Sequence, residues 1–327
     1  MAATRDVRNL TDISQMPKSE DGSFKRKPST FRNSVEKGGK FEPEKGKSTL
    51  GGLWLWLCAF WLEGKLPYVD DTLIPPPVAS TAFTVVSPRM GENGWPFANV
   101  DPFPAAGVDP VNHAEHVKDL YLKADPNYNG RFTVPVLWDK KHQTIVNNES
   151  SEIIRVLNTA FNGMIPEDKA AIDIYPEHHR AEIDGINEWV YDDINNGVYK
   201  SGFATTQEAY EKAVTKVFES LDRVEKILEG KKFLVGEILT EADVRLFVTI
   251  VRFDPVYVGH FKCNFRTIRA NYPNINRWLR QLYWTNHAFS ATTNFDHIKT
   301  HYYWSHPSIN PHRIVPVGPI PNIEPLN

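Results

Sequence analysis

The feature that most constrains this chain is a proline inside an apolar run with the composition of a β-strand. The run extends from Arg131 to Trp138, and the proline is Pro135. Proline has no N–H to donate to a strand ladder, so Pro135 marks a sheet edge, a bulge or a cis turn rather than a central strand position. A cis turn would leave the amide and the carbonyl of Val134 open to an extended peptide lying alongside.

A helix start rich in capping side chains follows soon after this run. Residues 147–151 are Asn-Asn-Glu-Ser-Ser, and they precede a helical pattern. Capping side chains and free N–H groups at a helix N-terminus stabilise a carboxylate. An edge that pairs with a peptide backbone, beside a pocket for a carboxylate, suits a small peptide such as glutathione.

Composition limits the classes of partner. A chain of 327 residues can hold one large or two ordinary domains with a substantial core. The formal net charge of −3 gives no reason to expect nucleic acid or an acidic membrane as a partner. Aromatic residues make up 12% of the chain, with nine tryptophans, and this favours stacking pockets for aromatic ligands or dense interfaces.

Cysteine usage and hydropathy favour a protein of the reducing cytoplasm. The two cysteines, Cys58 and Cys263, cannot form a disulfide framework and have no metal-ligand spacing, so we expect no metal. The N-terminus shows no signal-peptide pattern. The longest apolar run, Leu53–Leu62, is too short to span a bilayer, and we expect no membrane partner. The alternative is an interfacial membrane position, held by the tryptophans of this run, Trp54, Trp56 and Trp61.

Patterning along the chain predicts an arm, two domains and a tail. Residues 1–47 are polar and are predicted to form an N-terminal arm, while residues 306–327 form a proline-rich tail. Residues 48–165 are predicted to hold a thioredoxin-like domain with a long loop at Gly91–Pro110. Its predicted elements are a strand at Thr84–Ser87, a helix at His113–Ala124, strands near Thr133–Trp138 and Gln143–Val146, and a helix from Ser150 to about Phe161.

Residues 175–305 are predicted to form an all-helical domain. The helices indicated by apolar spacing are Glu177–Ile194, Thr206–Glu229 and Asn274–Tyr283. A further helix has a clear start, because Thr240 can cap it and the side chain of Asp243, at the third helical position, can accept from the backbone amide of Thr240. The predicted fold class is therefore α/β plus all-α.

Four longer motifs occur in a fixed order along the chain. They are Pro88–Phe97, Asn147–Ile153, Asn196–Ala204 and Arg252–Tyr257. Together they resemble the motifs of the Xi-class glutathione transferases, which are the glutathionyl-hydroquinone reductases. The likeness covers about residues 21–46 and 84–316. It implies a thioredoxin-like domain followed by a helical glutathione-transferase domain, and a homodimer formed through the helical domain.

The resemblance implies a set of glutathione-binding residues. Val134 would pair its backbone with the cysteinyl unit, Glu149 would accept from the γ-glutamyl ammonium, and Ser150 would donate to the γ-glutamyl carboxylate. Arg131 would face the glycyl carboxylate, and Trp95 would close over the ligand. The alternatives are an ordinary helix cap at residues 149–150, a solvated surface charge at residue 131 and a buried loop anchor at residue 95.

The resemblance also implies residues for an aromatic acceptor. Tyr199 and Tyr302 would hydrogen-bond the oxygens of a quinol conjugate, since a phenol is a suitable donor to a developing oxyanion. Tyr257 and His260 would line the same cavity. For each of these residues the alternative is a packed core side chain. Cys263 is expected to be buried and inert.

The expected nucleophile is missing from its motif. Xi members carry it in a Cys-Pro-Trp-Ala-His-Arg type motif after the first strand, whereas this chain has no Cys-Pro dipeptide at all. Residues 48–83 replace that region with atypical sequence, including three prolines at Pro75–Pro77. Cys58 is the one thiol nearby, and its apolar neighbours would raise its pKa and oppose a reactive thiolate.

Two accounts fit this departure. In the first, Cys58 serves as the nucleophile of a rebuilt site, and the chain removes glutathione from glutathionyl-hydroquinones. In the second, the nucleophile has been lost, by divergence or because residues 48–83 are an altered reading frame or splice product. The chain would then be a non-catalytic glutathione-binding or scaffold protein.

Overall fold

The computed structural model describes residues 20–26, 28–43, 50–54 and 81–326. These residues fall into two compact units. The first unit includes the described residues between 28 and 172. The second includes residues 20–26 and 173–326.

The first unit is built on a four-stranded mixed sheet. Its strands are β1 (Leu50–Trp54), β2 (Thr81–Val85), β3 (Val136–Asp139) and β4 (Thr144–Asn147), in the order β2-β1-β3-β4. β1 runs parallel to β2, and the other two pairs are antiparallel. The predicted strand near Thr133 begins only at Val136, because Pro135 has no N–H for a ladder. β2 lies slightly before the predicted Thr84–Ser87.

The helices of the first unit follow the predicted order. They are α1 (Val117–Ala124), α2 (Ser150–Thr159) and the short α3 (Glu167–Ala170). α1 begins later than predicted because His116 and Asp119 form a reciprocal capping box that sets its first turn. It ends at Asp125, just before Pro126. Strand, helix, strand, strand and helix from β2 to α2 confirm the thioredoxin-like prediction.

A long ordered loop leads from β2 to α1, as predicted for Gly91–Pro110. Its backbone is tied to its surroundings, since Phe97 donates to the carbonyl of Glu115 and Gly107 donates to that of Val85, at 2.9 and 2.8 Å. Trp95 and Phe97 pack into the core of the unit, among Val86, Val117, Leu120, Tyr121, Phe132 and Val136. This packing holds the loop without regular secondary structure.

Part of the predicted arm packs on the first unit. Asn33 donates to the carbonyl of Val146, and Asn148 donates to the carbonyl of Phe31, both at 3.0 Å. Arg32 also forms an ion pair with Glu152. Residues 28–33 therefore run along the last strand and reach the start of α2.

All regular secondary structure described in the second unit is helical. Its α-helices are α4 (Arg180–Trp189), α5 (Gly197–Gly202), α6 (Gln207–Ile227), α7 (Glu241–Arg252), α8 (Ile268–Asn271), α9 (Pro273–Thr285), α10 (His287–Ala291) and α11 (Phe295–Ser305). A 3₁₀ turn at Glu177–His179 precedes α4. Two wider π-helical turns continue α4 and α7, at Val190–Asn195 and Phe253–Tyr257. The combination of this unit with the first confirms the α/β plus all-α fold class.

Helix α7 forms the centre of the helical unit, and every residue in it except Arg245 is buried. The predicted capping box is present, with Thr240 and Asp243 bonded to each other's backbone. Asp243 also accepts from the amide of Leu234 at 2.9 Å and from the indole of Trp278 at 3.0 Å. Burial raises the pKa of this carboxyl to about 6. One carboxyl thus ties the start of α7 to the preceding loop and to α9.

The chain after Ser305 forms no helix or strand up to Leu326. Side chains of the helical unit hold its carbonyls. Arg269 donates to Pro321 and Asn322, each at 3.0 Å, and Trp284 donates to Glu324 at 2.8 Å. The predicted boundaries of the arm, the two domains and the tail stay a prediction.

In the part of the chain that the structure describes, no helix combines the length and apolar character needed to cross a membrane. Trp56 and Trp61, on which the interfacial alternative depends, lie outside the described residues.

Replacing Asp243 is expected to destabilise the helical unit more than removing an exposed helix cap. Asp243→Ala leaves buried donors of Leu234 and Trp278 without an acceptor, at a cost of about 1–3 kcal/mol each. Thr206→Ala removes the exposed cap of α6 and the bond from the Thr206 hydroxyl to the carbonyl of Asp21, at a cost of about 1–2 kcal/mol in total. Urea denaturation followed by circular dichroism measures both losses, and equal losses would contradict the central role of Asp243.

Candidate functional site

The proline-broken edge lies immediately before β3. The Val134–Pro135 peptide bond is cis, which is one of the three arrangements predicted for Pro135. Within the described chain, no backbone hydrogen bond uses the amide or the carbonyl of Val134. Both groups are therefore available to an extended peptide, as expected.

The start of α2 carries further unused donors. Glu149 occupies the N-cap position in an extended conformation, and its own amide donates to Oδ1 of Asn147 at 2.7 Å. The carbonyl of Glu149 accepts from Glu152 and Ile153. The amides of Ser150 and Ser151 have no acceptor among the described residues. Two free N–H groups at the positive end of a helix dipole form a site for a carboxylate.

The carboxylate of Glu149 is held by two serine hydroxyls. Ser29 donates to one oxygen at 2.9 Å, and Ser151 donates to the other at 3.2 Å. A carboxylate has about four lone-pair positions, so it can accept further bonds from an ammonium group. Ser29 belongs to the arm, and sequence reasoning did not select it. Only the family likeness, which begins near residue 21, pointed to that segment.

A buried hydrogen-bond network joins the edge to the helix start. The hydroxyl of Tyr121 donates to the carbonyl of Thr133 at 2.8 Å, and the amide group of Asn148 donates to the Tyr121 oxygen at 2.8 Å. Asn148 also lies 3.4 Å from the Thr133 hydroxyl. Burial raises the pKa of Tyr121, so it stays a neutral donor. Tyr121 lies on the apolar face of α1, where sequence alone indicates only a core residue.

Trp95 and Arg131, the other two residues predicted to contact glutathione, both precede this edge in the sequence. Trp95 is 7% exposed and packs in the core, and its carbonyl accepts from Val117 at 2.9 Å. Arg131 is half-buried, and its carbonyl accepts from the Tyr128 hydroxyl at 2.9 Å. The ligand roles assigned to these two side chains remain predictions.

The predicted nucleophile, Cys58, lies outside the described residues. The other cysteine, Cys263, is fully buried in the helical unit. Burial raises the pKa of the Cys263 thiol to about 12, so it remains protonated at neutral pH. Cys263 is therefore the inert thiol that the sequence predicts.

The helical unit brings the three predicted tyrosines together through their hydroxyls. The Tyr302 oxygen lies 2.6 Å from that of Tyr199 and 2.9 Å from that of Tyr257. Tyr257 and Tyr302 are 2% and 6% exposed, whereas Tyr199 is partly exposed. Burial raises the pKa of all three phenols, so they exist as neutral hydroxyls at neutral pH. This tyrosine chain can donate to an oxygen that acquires negative charge.

Aromatic rings surround the tyrosine chain. Tyr257 stacks on Phe261 with centroids 5.4 Å apart, and Phe24 stacks on Phe203 at 5.7 Å. His260 lies 6.5 Å from the Tyr302 ring, and its Nε2 is 3.0 Å from Nδ1 of His306. Burial lowers the pKa of His260 to about 4, so it is neutral at neutral pH. The predicted group of Tyr199, Tyr302, Tyr257 and His260 is thus brought together.

Comparison with known proteins identifies both domains. The model of the glutathione S-transferase N-terminal domain matches residues 64–160. The model of the glutathione S-transferase C-terminal domain matches residues 207–281.

Curated relatives align over nearly the whole chain. Glutathione S-transferase omega-like 2 of Schizosaccharomyces pombe is 51% identical over 324 residues, covering 97% of this chain and 98% of the relative. Glutathionyl-hydroquinone reductase YqjG of Escherichia coli is 47% identical over 308 residues, covering 92% and 90%.

Solved structures similar to this one are also glutathione transferases or homologues of them. The Xi glutathione-S-transferase of Phanerochaete chrysosporium has a TM-score of 0.89 at 63% identity, covering 97% of this chain and 100% of that one. The glutathione-bound structure of Escherichia coli YqjG has a TM-score of 0.78 at 45% identity, covering 93% and 96%. The chain therefore belongs to the glutathione S-transferase family and, within it, to the Xi class that includes the glutathionyl-hydroquinone reductases.

Proposed function

We propose that this protein is an enzyme that removes glutathione from glutathionyl-hydroquinones, with glutathione as the reductant. The observation that carries this proposal is the chain of hydroxyls formed by Tyr199, Tyr302 and Tyr257, with oxygens 2.6 and 2.9 Å apart. Phenol donors inside aromatic walls suit a flat substrate whose oxygen becomes negative during the reaction. The family membership supports the same reaction.

Glutathione would bind to the first unit in an extended form. Its cysteinyl unit would pair with the backbone of Val134, and its γ-glutamyl carboxylate would accept from Ser150 at the start of α2. Glu149 would accept from the γ-glutamyl ammonium, next to the two serine hydroxyls that orient it. Arg131 would face the glycyl carboxylate, and Trp95 would cover the ligand.

The chemistry requires a path for the electrons of the carbon–sulfur bond. An aryl carbanion is a poor leaving group, so the bond breaks readily only from the keto tautomer of the conjugate. A thiolate attacks the glutathionyl sulfur, a disulfide bond forms, and the carbon–sulfur electron pair moves through the ring onto the keto oxygen. The resulting quinol oxyanion takes up a proton. A second glutathione thiolate then cleaves the mixed disulfide, releasing glutathione disulfide and restoring the first thiolate.

Tyr199 and Tyr302 would donate to the oxygen that becomes the oxyanion. Because their raised pKa values keep them protonated, they are donors throughout the neutral pH range. Tyr257 would support Tyr302, and His260 would line the cavity as a neutral ring. These donors would thus stabilise the quinol oxyanion that forms when the carbon–sulfur bond breaks.

Cys58 is proposed as the attacking thiolate. One observation favours a second candidate function, which is a glutathione-binding protein without catalysis. The chain has two cysteines and no Cys-Pro dipeptide, so the family's activated position at a helix start is missing.

Turnover of glutathionyl-menadiol, measured together with retention on immobilised glutathione, distinguishes the two functions. For the reductase we expect retention and turnover in the wild type, and loss of turnover in Cys58→Ser with retention unchanged. Cys263→Ser is the matched control and should keep both activities, since Cys263 is buried and protonated.

Retention without wild-type turnover would rule out the reductase and support the binding protein. Turnover that survives in Cys58→Ser would exclude Cys58 as the nucleophile. Loss of retention in the wild type would contradict both functions.

Removing the hydroxyl of Tyr121 is expected to weaken glutathione binding. Tyr121→Phe preserves the ring but frees the carbonyl of Thr133 and the side chain of Asn148, which position the edge and the start of α2. We expect the Kd to rise about fivefold, or about 1 kcal/mol, by calorimetry. Tyr175→Phe, which removes an exposed hydroxyl that donates to Asp184, should leave the Kd unchanged. An unchanged Kd in Tyr121→Phe would show that this network does not position the ligand.

We further propose that the protein acts as a cytoplasmic homodimer, associated through its helical domain. The family resemblance supports the dimer, and the lack of a disulfide framework supports the compartment. We propose no metal, nucleic acid or membrane as a partner. Sedimentation equilibrium should give twice the mass of the 37.3 kDa chain, and a monomer at all concentrations would contradict the dimer.

A further inference from the structure

Arg252, the last residue of α7, is a buried cation that the proposed reaction has not used. Its side chain is only 7% exposed. It donates to the carbonyl of Val248, one helical turn earlier. A guanidinium carries five N–H donors, so this bond engages only part of its capacity.

Arg252 also lacks a counter-ion in the described part of the chain, where no carboxylate lies within ion-pair distance of it. The contrast on the same helix is Arg245, which pairs with Glu241 at 3.1 Å. Burying a charge without an opposite charge is costly, and such groups are rare away from functional sites. The position of Arg252 therefore requires an explanation beyond packing.

The neighbours of Arg252 indicate what balances its charge. The polypeptide continues from Arg252 into the π-helical turn Phe253–Tyr257, which ends at Tyr257, one of the three hydrogen-bonded tyrosines. The Arg252 charge lowers the pKa of Tyr199, Tyr257 and Tyr302, against the larger opposing effect of burial. The positive charge of Arg252 therefore acts on all three tyrosine hydroxyls.

Among the described residues, no carboxylate acts on the pKa of the three tyrosines. Arg26 acts on Tyr199 with the same sign as Arg252. His260 and His306 pack against the ring of Tyr302, and the low pKa of His260 keeps it neutral. In the part of the chain that the structure describes, the charges that act on the three hydroxyls are therefore positive, and the hydroxyls themselves are neutral donors.

We propose that Arg252 is the counter-charge that makes the tyrosine chain bind aromatic alcohols as phenolates. It is a positioning residue that acts through the field at the three hydroxyls, and this inference rests on the proposed function. An ionised phenol oxygen would accept from Tyr199 or Tyr302 and neutralise the unpaired guanidinium. The same charge would stabilise the quinol oxyanion when the carbon–sulfur bond breaks.

A purely structural role for Arg252 makes a different prediction. A cation in the last turn of a helix is stabilised by the helix dipole and can bond the terminal carbonyls. Its replacement would then lower stability without changing the protonation state of a bound ligand. The protonation of a bound phenol therefore separates the two roles.

The test uses 4-nitrophenol, whose phenolate absorbs visible light and which ionises near neutral pH. The full-length protein is titrated with it across that pH range, and the absorbance gives the pKa of the bound probe. The variants are Arg252→Met, which removes the charge at similar length, and Arg252→Lys, which keeps it. Arg223→Met is the matched control, since Arg223 has no ion pair with any described residue and lies over the ring of Trp189 at 4.1 Å.

We expect the wild type to lower the pKa of the bound probe relative to the free probe. Arg252→Met should raise the bound pKa by about one unit, which weakens phenolate binding about tenfold. Binding of the neutral phenol at lower pH should change little, which also shows that the variant is folded. Arg252→Lys should restore most of the shift, and Arg223→Met should match the wild type.

The inference is overturned if the wild type does not bind the phenolate, or if Arg252→Met leaves the bound pKa unchanged. Its failure is distinct from failure of the proposed function, because probe binding requires no thiol. A chain that fails to turn over glutathionyl-menadiol can still show the Arg252-dependent shift. A chain that turns over the substrate without the shift retains the function and refutes the role of Arg252.

Discussion

Pro135 has no amide hydrogen to donate, and the backbone of the first unit before β3 is arranged around that missing donor. β3 begins only at Val136, so the preceding residue leaves its amide and carbonyl outside the ladder. An open edge of this kind is normally costly or prone to pairing with another chain. Here the neighbouring Thr133 is held by the buried hydroxyl of Tyr121, which keeps the edge in place without pairing it.

The two units differ in whether their buried polar groups are fully paired. In the first unit, Tyr121 and Asn148 bond each other and their surroundings, and such a satisfied network fixes geometry. In the second unit, the hydroxyls of three tyrosines are joined while the nearby charge of Arg252 has no counter-ion among the described residues. The first arrangement suits the holding of a peptide of fixed shape. The second suits a ligand whose oxygen gains negative charge.

This chain keeps the residues that the family resemblance assigns to glutathione binding but lacks the family's Cys-Pro motif, which carries the nucleophile. The elements that would hold glutathione are present and resemble those of the family, whereas the Cys-Pro position is absent from the sequence. A peptide-binding edge needs only backbone groups and a helix start. A reactive thiolate needs a specific side chain at a specific place, so it is lost more easily than the fold. The two candidate functions differ in this one respect.

Element order was predictable because it depends on local pattern. Apolar spacing predicted α6 and α9 to within a few residues, and the Thr240–Asp243 spacing predicted the start of α7. Boundaries were less predictable where a tertiary contact or a cap decides them, as at His116 before α1. The π-helical turns within Glu177–Ile194 and after Arg252 leave no simple pattern in apolar spacing. Ser29 and Tyr121 were missed because neither lies in a recognisable motif.

The sequence alone established the long helices α6, α7 and α9, the order of elements from β2 to α2, the α/β plus all-α class and the family. Apolar periodicity and motif order can be read from the chain without knowing how its elements pack. The sequence left open whether Pro135 marks an edge, a bulge or a cis turn, and whether the tyrosines are core or site. Tertiary structure decided that Tyr199 meets Tyr302 across 103 residues and that Ser29 meets Glu149 across 120. Contacts of that separation depend on how whole elements pack, and local sequence does not encode them.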